Sequence, residues 1–266
     1  MISIKLPKKF SNRKVLNFFK KKKLYNLIKA SKDKKIYVNK MERAKPWPPK
    51  INQLYLIYQI TLLNKRLTIL EFGSGWSSLV FACALDELKR KYSNQVKILR
   101  KNNPIKLFVL DNEKKYLNIT KKRVFNFKKK NNLISEINFF FSDVKMTSYN
   151  GFIATEYNKL PACNPDLIFM DGPGQFKVKG DINGITTKHK DIMPMSCDLL
   201  KIEFFLIPGT IILADGRGAN CEFLRLNLKR KWMYKYYKKY DMHLFCLIDR
   251  EIGKYNKELI KFYKNN

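Results

Sequence analysis

Along the 266-residue chain, short runs of hydrophobic residues alternate with longer stretches whose apolar positions recur at helical spacing. Residues 50–65 (KINQLYLIYQITLLNK) predict a helix, and 67–72 (LTILEF) predict a strand that runs into Gly73-Ser74-Gly75. A helix over 76–91 follows, with Ser77 near its start. The strand at 106–111 (KLFVLD) leads into a Lys-rich helix at 113–130, and a third strand is expected at 137–142. A fourth, 166–171 (DLIFMD), ends in Gly172-Pro173-Gly174. After a long loop, 172–194, a helix at about 195–206 precedes a fifth strand at 210–215. A helix over 219–231 is followed by two strands, 232–239 and 242–249, with no helical pattern between them. Strands buried on both faces and separated by helices predict a doubly wound, mostly parallel α/β sheet. The adjacent final pair predicts an antiparallel edge.

Before this unit, Val15, Leu16, Phe18, Phe19, Leu24, Leu27 and Ile28 recur at roughly helical spacing among lysines. Such a basic amphipathic segment can pack its stripe on the main domain, lie on an anionic membrane, or bind RNA. Lys45-Pro46-Trp47-Pro48-Pro49 breaks the helical pattern, because proline disfavours helix for itself and its predecessor. The expected organisation is a basic helical extension over 1–49, a catalytic α/β domain over 50–252 and a Lys-rich tail over 253–266.

With 45% hydrophobic and 14% aromatic residues the chain can bury a substantial core, which excludes wholesale disorder. Lys+Arg number 54 against 22 Asp+Glu, a formal charge of +32. A surface of that sign attracts polyanions, but only ten of the cations are Arg, the usual bidentate reader of phosphate and guanine. Abundant Lys, Asn, Ile, Phe and Tyr together are also what a compositional bias of the source would produce, so charge alone identifies no partner. The five cysteines are dispersed and include no C-x-x-C, which points away from a disulfide framework or zinc site. The opening MISIKLPKKFSNRKV lacks the apolar stretch of a secretory signal, and no apolar run approaches ~18 residues. These features predict a cytoplasmic protein, with residues 1–45 able to touch the inner face of a membrane.

Acids are scarce, so their positions carry information. Glu71, Asp111, Asp143, Asp171 and Asp215 fall at, or one residue past, the carboxyl ends of five consecutive predicted strands. That edge is where an open α/β sheet binds ligands. Helix N-capping accounts for one or two such acids; five point to a ligand with positive groups and hydroxyls. At the first end the two glycines of Glu71-Phe72-Gly73-Ser74-Gly75-Trp76-Ser77-Ser78 allow a tight turn and close backbone approach. Ser78 stands where a dinucleotide fingerprint needs its third glycine, and Glu71 would repel a pyrophosphate while favouring an ammonium or sulfonium. Asp111 can accept both hydroxyls of a ribose. Asp143, in Ser142-Asp143-Val144, can accept from an exocyclic amine.

Over about residues 50–250 this ordered set resembles the class I S-adenosylmethionine-dependent methyltransferases. Their acid-x-Gly-x-Gly-x-Gly/Ser motif is matched by Glu71, Gly73, Gly75 and Ser77. The resemblance implies a Rossmann-like sheet of seven strands, the last inserted antiparallel, with S-adenosylmethionine as cofactor. It further implies that Glu71, Gly73, Ser74, Gly75 and Ser77 hold the methionine end and Asp111 the ribose. Asn112, Asp143 and Val144 would line the adenine pocket, and Asp171 would stand near the reacting centre.

Methyl transfer from a sulfonium is an in-line displacement that gains most from positioning, and a hydroxyl acceptor gains further from a general base. The candidates for that base are Asp171, Asp215 and His189, the last in the long loop after the fourth strand. Arg217 can receive a substrate carboxylate or phosphate. Metal-dependent O-methyltransferases of the catechol and caffeoyl-CoA type use acids after strands four and five, the second as Asp-Asn. Here Gly216 stands in place of that Asn, which removes a hard oxygen ligand, so no metal is expected. Asp171-Gly172-Pro173-Gly174 also lacks the Asn/Asp-Pro-Pro-aromatic motif of enzymes that methylate base amines. The expected acceptor is an oxygen of a small molecule or sugar, plausibly one carrying an anionic group. The alternatives are an RNA methyltransferase that uses the basic N-terminal segment, or a non-catalytic nucleoside binder with a polyanion-binding arm.

Overall fold

A computed structural model describes residues 4–33 and 47–264. The expected break at Lys45-Pro46, with the rest of 34–46, lies outside the described residues. Two short helices come first, α1 (Asn12–Lys21), capped by the Ser11 hydroxyl, and α2 (Tyr25–Ser31). Helix α3 (Ile51–Leu63) is apolar on nearly every side and accordingly buried around its circumference. The alternating unit follows as β1 (Thr68–Phe72), α4 (Trp76–Lys97), β2 (Lys106–Asp111), α5 (Lys114–Asn131) and β3 (Glu136–Phe141). Next come β4 (Val144–Tyr149), β5 (Phe152–Tyr157), β6 (Leu167–Met170) and the short β7 (Val178–Lys179). The last third contains α6 (Asp198–Ile202), β8 (Ile211–Asp215), α7 (Gly218–Asn227), β9 (Trp232–Tyr237), β10 (Met242–Leu247) and α8 (Gly253–Lys264).

The main sheet has seven strands in the order β3-β2-β1-β6-β8-β10-β9. Strands β3, β2, β1, β6 and β8 are mutually parallel, and β10 is antiparallel to both of its neighbours. The final pair thus forms the expected antiparallel edge, with β10 inserted between β8 and the outermost strand β9. This is a Rossmann-like sheet of seven strands with the last inserted antiparallel, as the resemblance implies. Alternate residues of each strand feed two apolar layers: Ile69, Leu107 and Leu213 face one, Leu70, Phe108 and Ile212 the other.

The first layer also takes in the N-terminal helices. Val15, Phe19, Leu24 and Leu27 are almost fully buried, and Phe18 packs edge-on against Tyr55 and Tyr58 of α3. The apolar stripe read in the sequence is thus covered by the protein itself.

Three elements depart from the sequence expectation. Residues 144–157 form a hairpin that joins β7 in a second, three-stranded sheet. Its Asn150-Gly151 turn has both residues at positive φ (48° and 82°), the geometry whose twist suits a two-residue hairpin loop. The helix expected at 195–206 is shorter, giving way to a single 3-10 turn at Glu203–Phe205. The Lys-rich tail is helix α8, with Asn256, Leu259, Ile260 and Tyr263 buried at helical spacing. The Tyr263 hydroxyl donates to Asp166 Oδ2 at 2.9 Å, while Thr68 N–H donates to Oδ1 at 3.0 Å, tying α8 to the amino edge of the sheet.

Candidate functional site

The carboxyl ends of β1 and β6 press their turns together. Gly73 has φ +87°, and a Cβ there would lie 2.8 Å from the carbonyl carbon and oxygen of Asp171. A Cβ on Gly172 would lie 2.5 Å from Gly73 N. Glycine is needed on both sides, by sterics as well as by backbone conformation at Gly73. Gly73 N–H donates to Leu110 O at 2.8 Å, and Asp171 N–H to Phe72 O at 2.8 Å, so three strand ends are stapled at one point.

Beside this point opens a cavity of about 820 Å³, within the range of ligand pockets. Gly73, Ser74, Asp111, Asn112, Asp171 and Arg217 all line it, so the structure brings six of the sequence-selected residues together. Ser74 Oγ donates to Asp111 Oδ2 at 2.5 Å and Glu113 N–H donates to Oδ1 at 2.9 Å, which fixes the carboxylate at the end of β2. Burial raises the Asp111 pKa above the usual carboxylate value, against these hydrogen bonds. Asn112 is spent on the neighbouring turn: Oδ1 accepts from Gly174 N–H at 2.8 Å and Nδ2 donates to Gly174 O at 3.3 Å.

Asp171 is solvent-exposed where it lines the cavity, within a recess of the protein surface. Desolvation, and then the charge of Asp215, raise its pKa; Arg217 and Lys50 pull it down. Arg217 Nη2 donates to Pro173 O at 3.1 Å, whereas its Nε is buried without a partner. Desolvation lowers the Arg217 pKa, with Asp171 opposing.

Other selected residues stand off the cavity. Glu71 is fully buried behind the glycine turn, with Ser77 Oγ donating to its Oε1 and its Oε2 without a hydrogen-bond partner. Desolvation pushes the Glu71 pKa up to about 8. Gly75 is extended, and a Cβ there would meet only Ser77 Oγ, at 3.7 Å. Asp143 pairs with Lys179 of β7 at 2.8 Å, and Val144 is buried at the start of β4. Asp215 Oδ1 accepts from Gln53 Nε2 at 2.6 Å and from Lys50 Nζ at 3.0 Å, so α3 supplies the amide and the residue just before it the cation at that strand end. Among the described residues no three His, Cys, Asp or Glu side chains group as metal ligands.

His189 is not brought to the cavity. Its side chain is 61% exposed and its Nδ1 accepts from Asp191 N–H at 3.2 Å. The two ends of the same loop, residues 172–177 and 193–194, reach the cavity wall, while the charged run Lys188-His189-Lys190-Asp191 stays solvated. Gln175 Nε2 pins this loop by donating to His189 O at 2.7 Å and Ile192 O at 2.9 Å.

Several lining residues escaped the sequence reading, notably the aromatics Trp47, Tyr116, Phe141 and Phe176. Phe141 carried a signal: it is the last residue of β3, opposite Asp111 in the register, and so belongs to the same sheet edge. Lys114, Lys115 and Lys177 also line the cavity. In the sequence they are indistinguishable from the general lysine excess.

No protein-family model matches the chain, and no curated protein matches it in sequence. Among solved structures, one from Staphylococcus aureus, provisionally named a caffeoyl-CoA O-methyltransferase, is similar over 89% of this chain and 98% of its own, at 12% identity and a TM-score of 0.49. A methyltransferase from Geobacter sulfurreducens is similar over 90% of each chain, at 12% identity and a TM-score of 0.38. Similarity at this level is one of fold alone. Among the described residues, no helix is long and apolar enough to cross a membrane.

Proposed function

We propose that the protein is an S-adenosylmethionine-dependent methyltransferase acting on an oxygen of a small-molecule or sugar acceptor that carries an anionic group. The observation that carries this reading is the convergence of the Gly73-Ser74 turn and Asp111 on one cavity in a sheet of this strand order. The cofactor fits the residues present. Asp111 offers a fixed carboxylate to ribose hydroxyls, and the Gly73-Ser74 turn lets the backbone approach the methionine end closely. When bound, S-adenosylmethionine supplies a methyl group on a good sulfonium leaving group.

The chain's own part is to position and to move one proton. Asp171, with its pKa raised toward the working range of a general base, accepts the acceptor's hydroxyl proton. Arg217, whose Nε lacks a partner, draws the acceptor's anionic group to the same cavity, aided by the lysines of its wall. The aromatic side chains restrict water around the reacting groups.

Transfer of labelled methyl to a panel of anionic and neutral hydroxyl acceptors tests the reading. Asp171→Asn should lower the rate about a hundredfold or more. Arg217→Gln should raise KM for anionic acceptors and leave it unchanged for neutral ones. Transfer at the wild-type rate by Asp171→Asn, or no transfer to any acceptor by the wild type, would overturn it.

A further inference from the structure

Within two residues the chain passes from one cavity to another: Ser74 lines the strand-edge cavity, and Trp76 lines a second of about 320 Å³. This second cavity opens between α2, the first turn of α4, and α5. On its wall the guanidinium carbon of Arg123 lies 4.0 Å from the centre of the Trp76 ring. Arg123 Nη1 is buried without a hydrogen-bond partner, and no hydrogen bond or ion pair engages this guanidinium among the described residues. Burial pushes its pKa down to about 10, with no carboxylate opposing. The protein thus holds a cation partly out of water with its face on an indole and its N–H edge unspent.

Among the described residues no acid lines this cavity, although two lysines do. Lys23, exposed, sits in the left-handed turn between α1 and α2 at φ 58°, and Lys130, also exposed, lies in the last turn of α5. A lysine in a last helical turn is favoured by the helix dipole anyway, so Lys130 alone says little. Arg123 lies in the interior of α5, where no dipole argument applies. Asn126 adds an amide donor on the same wall.

We propose that this cavity is an anion site for a phosphate group, held by the edge of Arg123 with Lys23 and Lys130 at the rim. Three cations, with no acid among the described residues of the lining, suit a dianionic phosphate better than a single carboxylate, and the planar fork of Arg matches phosphate oxygens two at a time. The same chemistry is presented by free phosphate and by a nucleic-acid backbone.

The test is calorimetric titration of the full chain with inorganic phosphate and, separately, with a short single-stranded oligonucleotide. Wild type is compared with Arg123→Gln, with Lys130→Gln, and with a control that removes two exposed charges of α8, Lys254→Gln/Lys257→Gln. The expected result is binding of at least one probe, weakened about tenfold or more by Arg123→Gln and about threefold by Lys130→Gln, with the control within about twofold of wild type. Binding of phosphate marks a site sufficient for one phosphate group, whereas binding of the oligonucleotide alone assigns the site to a backbone. No binding of either probe overturns the proposal, as does a control that weakens binding as much as the cavity variants. If Arg123→Gln fails to fold, Lys130→Gln against the control decides. Neither titration involves S-adenosylmethionine, so the result is independent of the proposed transfer activity.

Discussion

At the scale of single residues, the carboxylates at the strand ends are held in different environments, and those environments set what each can do. Glu71 is sealed behind the glycine turn with a pKa of about 8 against 4.5 for the free side chain. A carboxyl whose folded-state pKa is raised contributes stability that is fully present below about 4.5 and is lost as pH rises through about 8. Glu71→Gln, which cannot ionise, should therefore gain thermal stability relative to wild type between pH 5 and pH 9. Melting curves of the two proteins that stay parallel over that range would contradict the assignment. Asp171 faces the cavity and feels Lys50 as well as Asp215. Lys50→Met removes a charge that lowers the Asp171 pKa and leaves Asp215 less neutralised. The acid limb of the pH–rate profile should move upward in that variant; an unmoved limb would remove Asp171 as the base. Both predictions depend on burial and on neighbours distant in sequence. The chain showed where the acids fall, because strand-end position is a local property, but not which are sealed and which are open. For the same reason His189 stood out by its rarity, while its exposure between Lys188 and Lys190 is decided by how the loop folds back.

At the scale of elements, the N-terminal helices belong to the core. Phe19 is fully buried, and its neighbour Phe18 meets both Tyr55 and Tyr58. Phe19→Ala should cost about 3 kcal/mol or more in urea unfolding. Tyr25→Ala, at a side chain 60% exposed on the next helix, should cost under about 0.5 kcal/mol. Equal, small losses would mean that the extension is a detachable arm. The apolar stripe was legible from spacing; what covers it was not, since the same pattern suits a membrane or a groove. The strand-helix alternation was legible throughout the main sheet, whose central strands β2, β1, β6, β8 and β10 are short apolar runs. The 144–157 hairpin was not, because only alternate positions of β4 are buried and its polar face reads as loop. Its Asn150-Gly151 pair was nonetheless a local signal for a two-residue turn. Helix α8 was obscured in the same way, by lysines on its exposed face.

At the scale of the molecule, a chain with 54 basic residues against 22 acids still sets five of those acids at or near the carboxyl ends of its strands. The long-range repulsion of a cationic cofactor is screened beyond about 8–10 Å at ordinary ionic strength, so the groups at the cavity itself decide what binds there, with Asp111 and Asp171 set among Lys114, Lys115, Lys177 and Arg217. The proposed cofactor is cationic at one end and carries a ribose at the other. The most direct test is calorimetric titration of the wild type with S-adenosylmethionine and S-adenosylhomocysteine, beside Asp111→Ala. The account predicts micromolar binding of both by the wild type and a loss of about tenfold or more in the variant, since a charged hydrogen-bond acceptor for the ribose is removed. Absence of binding by a folded wild type, or equal binding by Asp111→Ala, would contradict it.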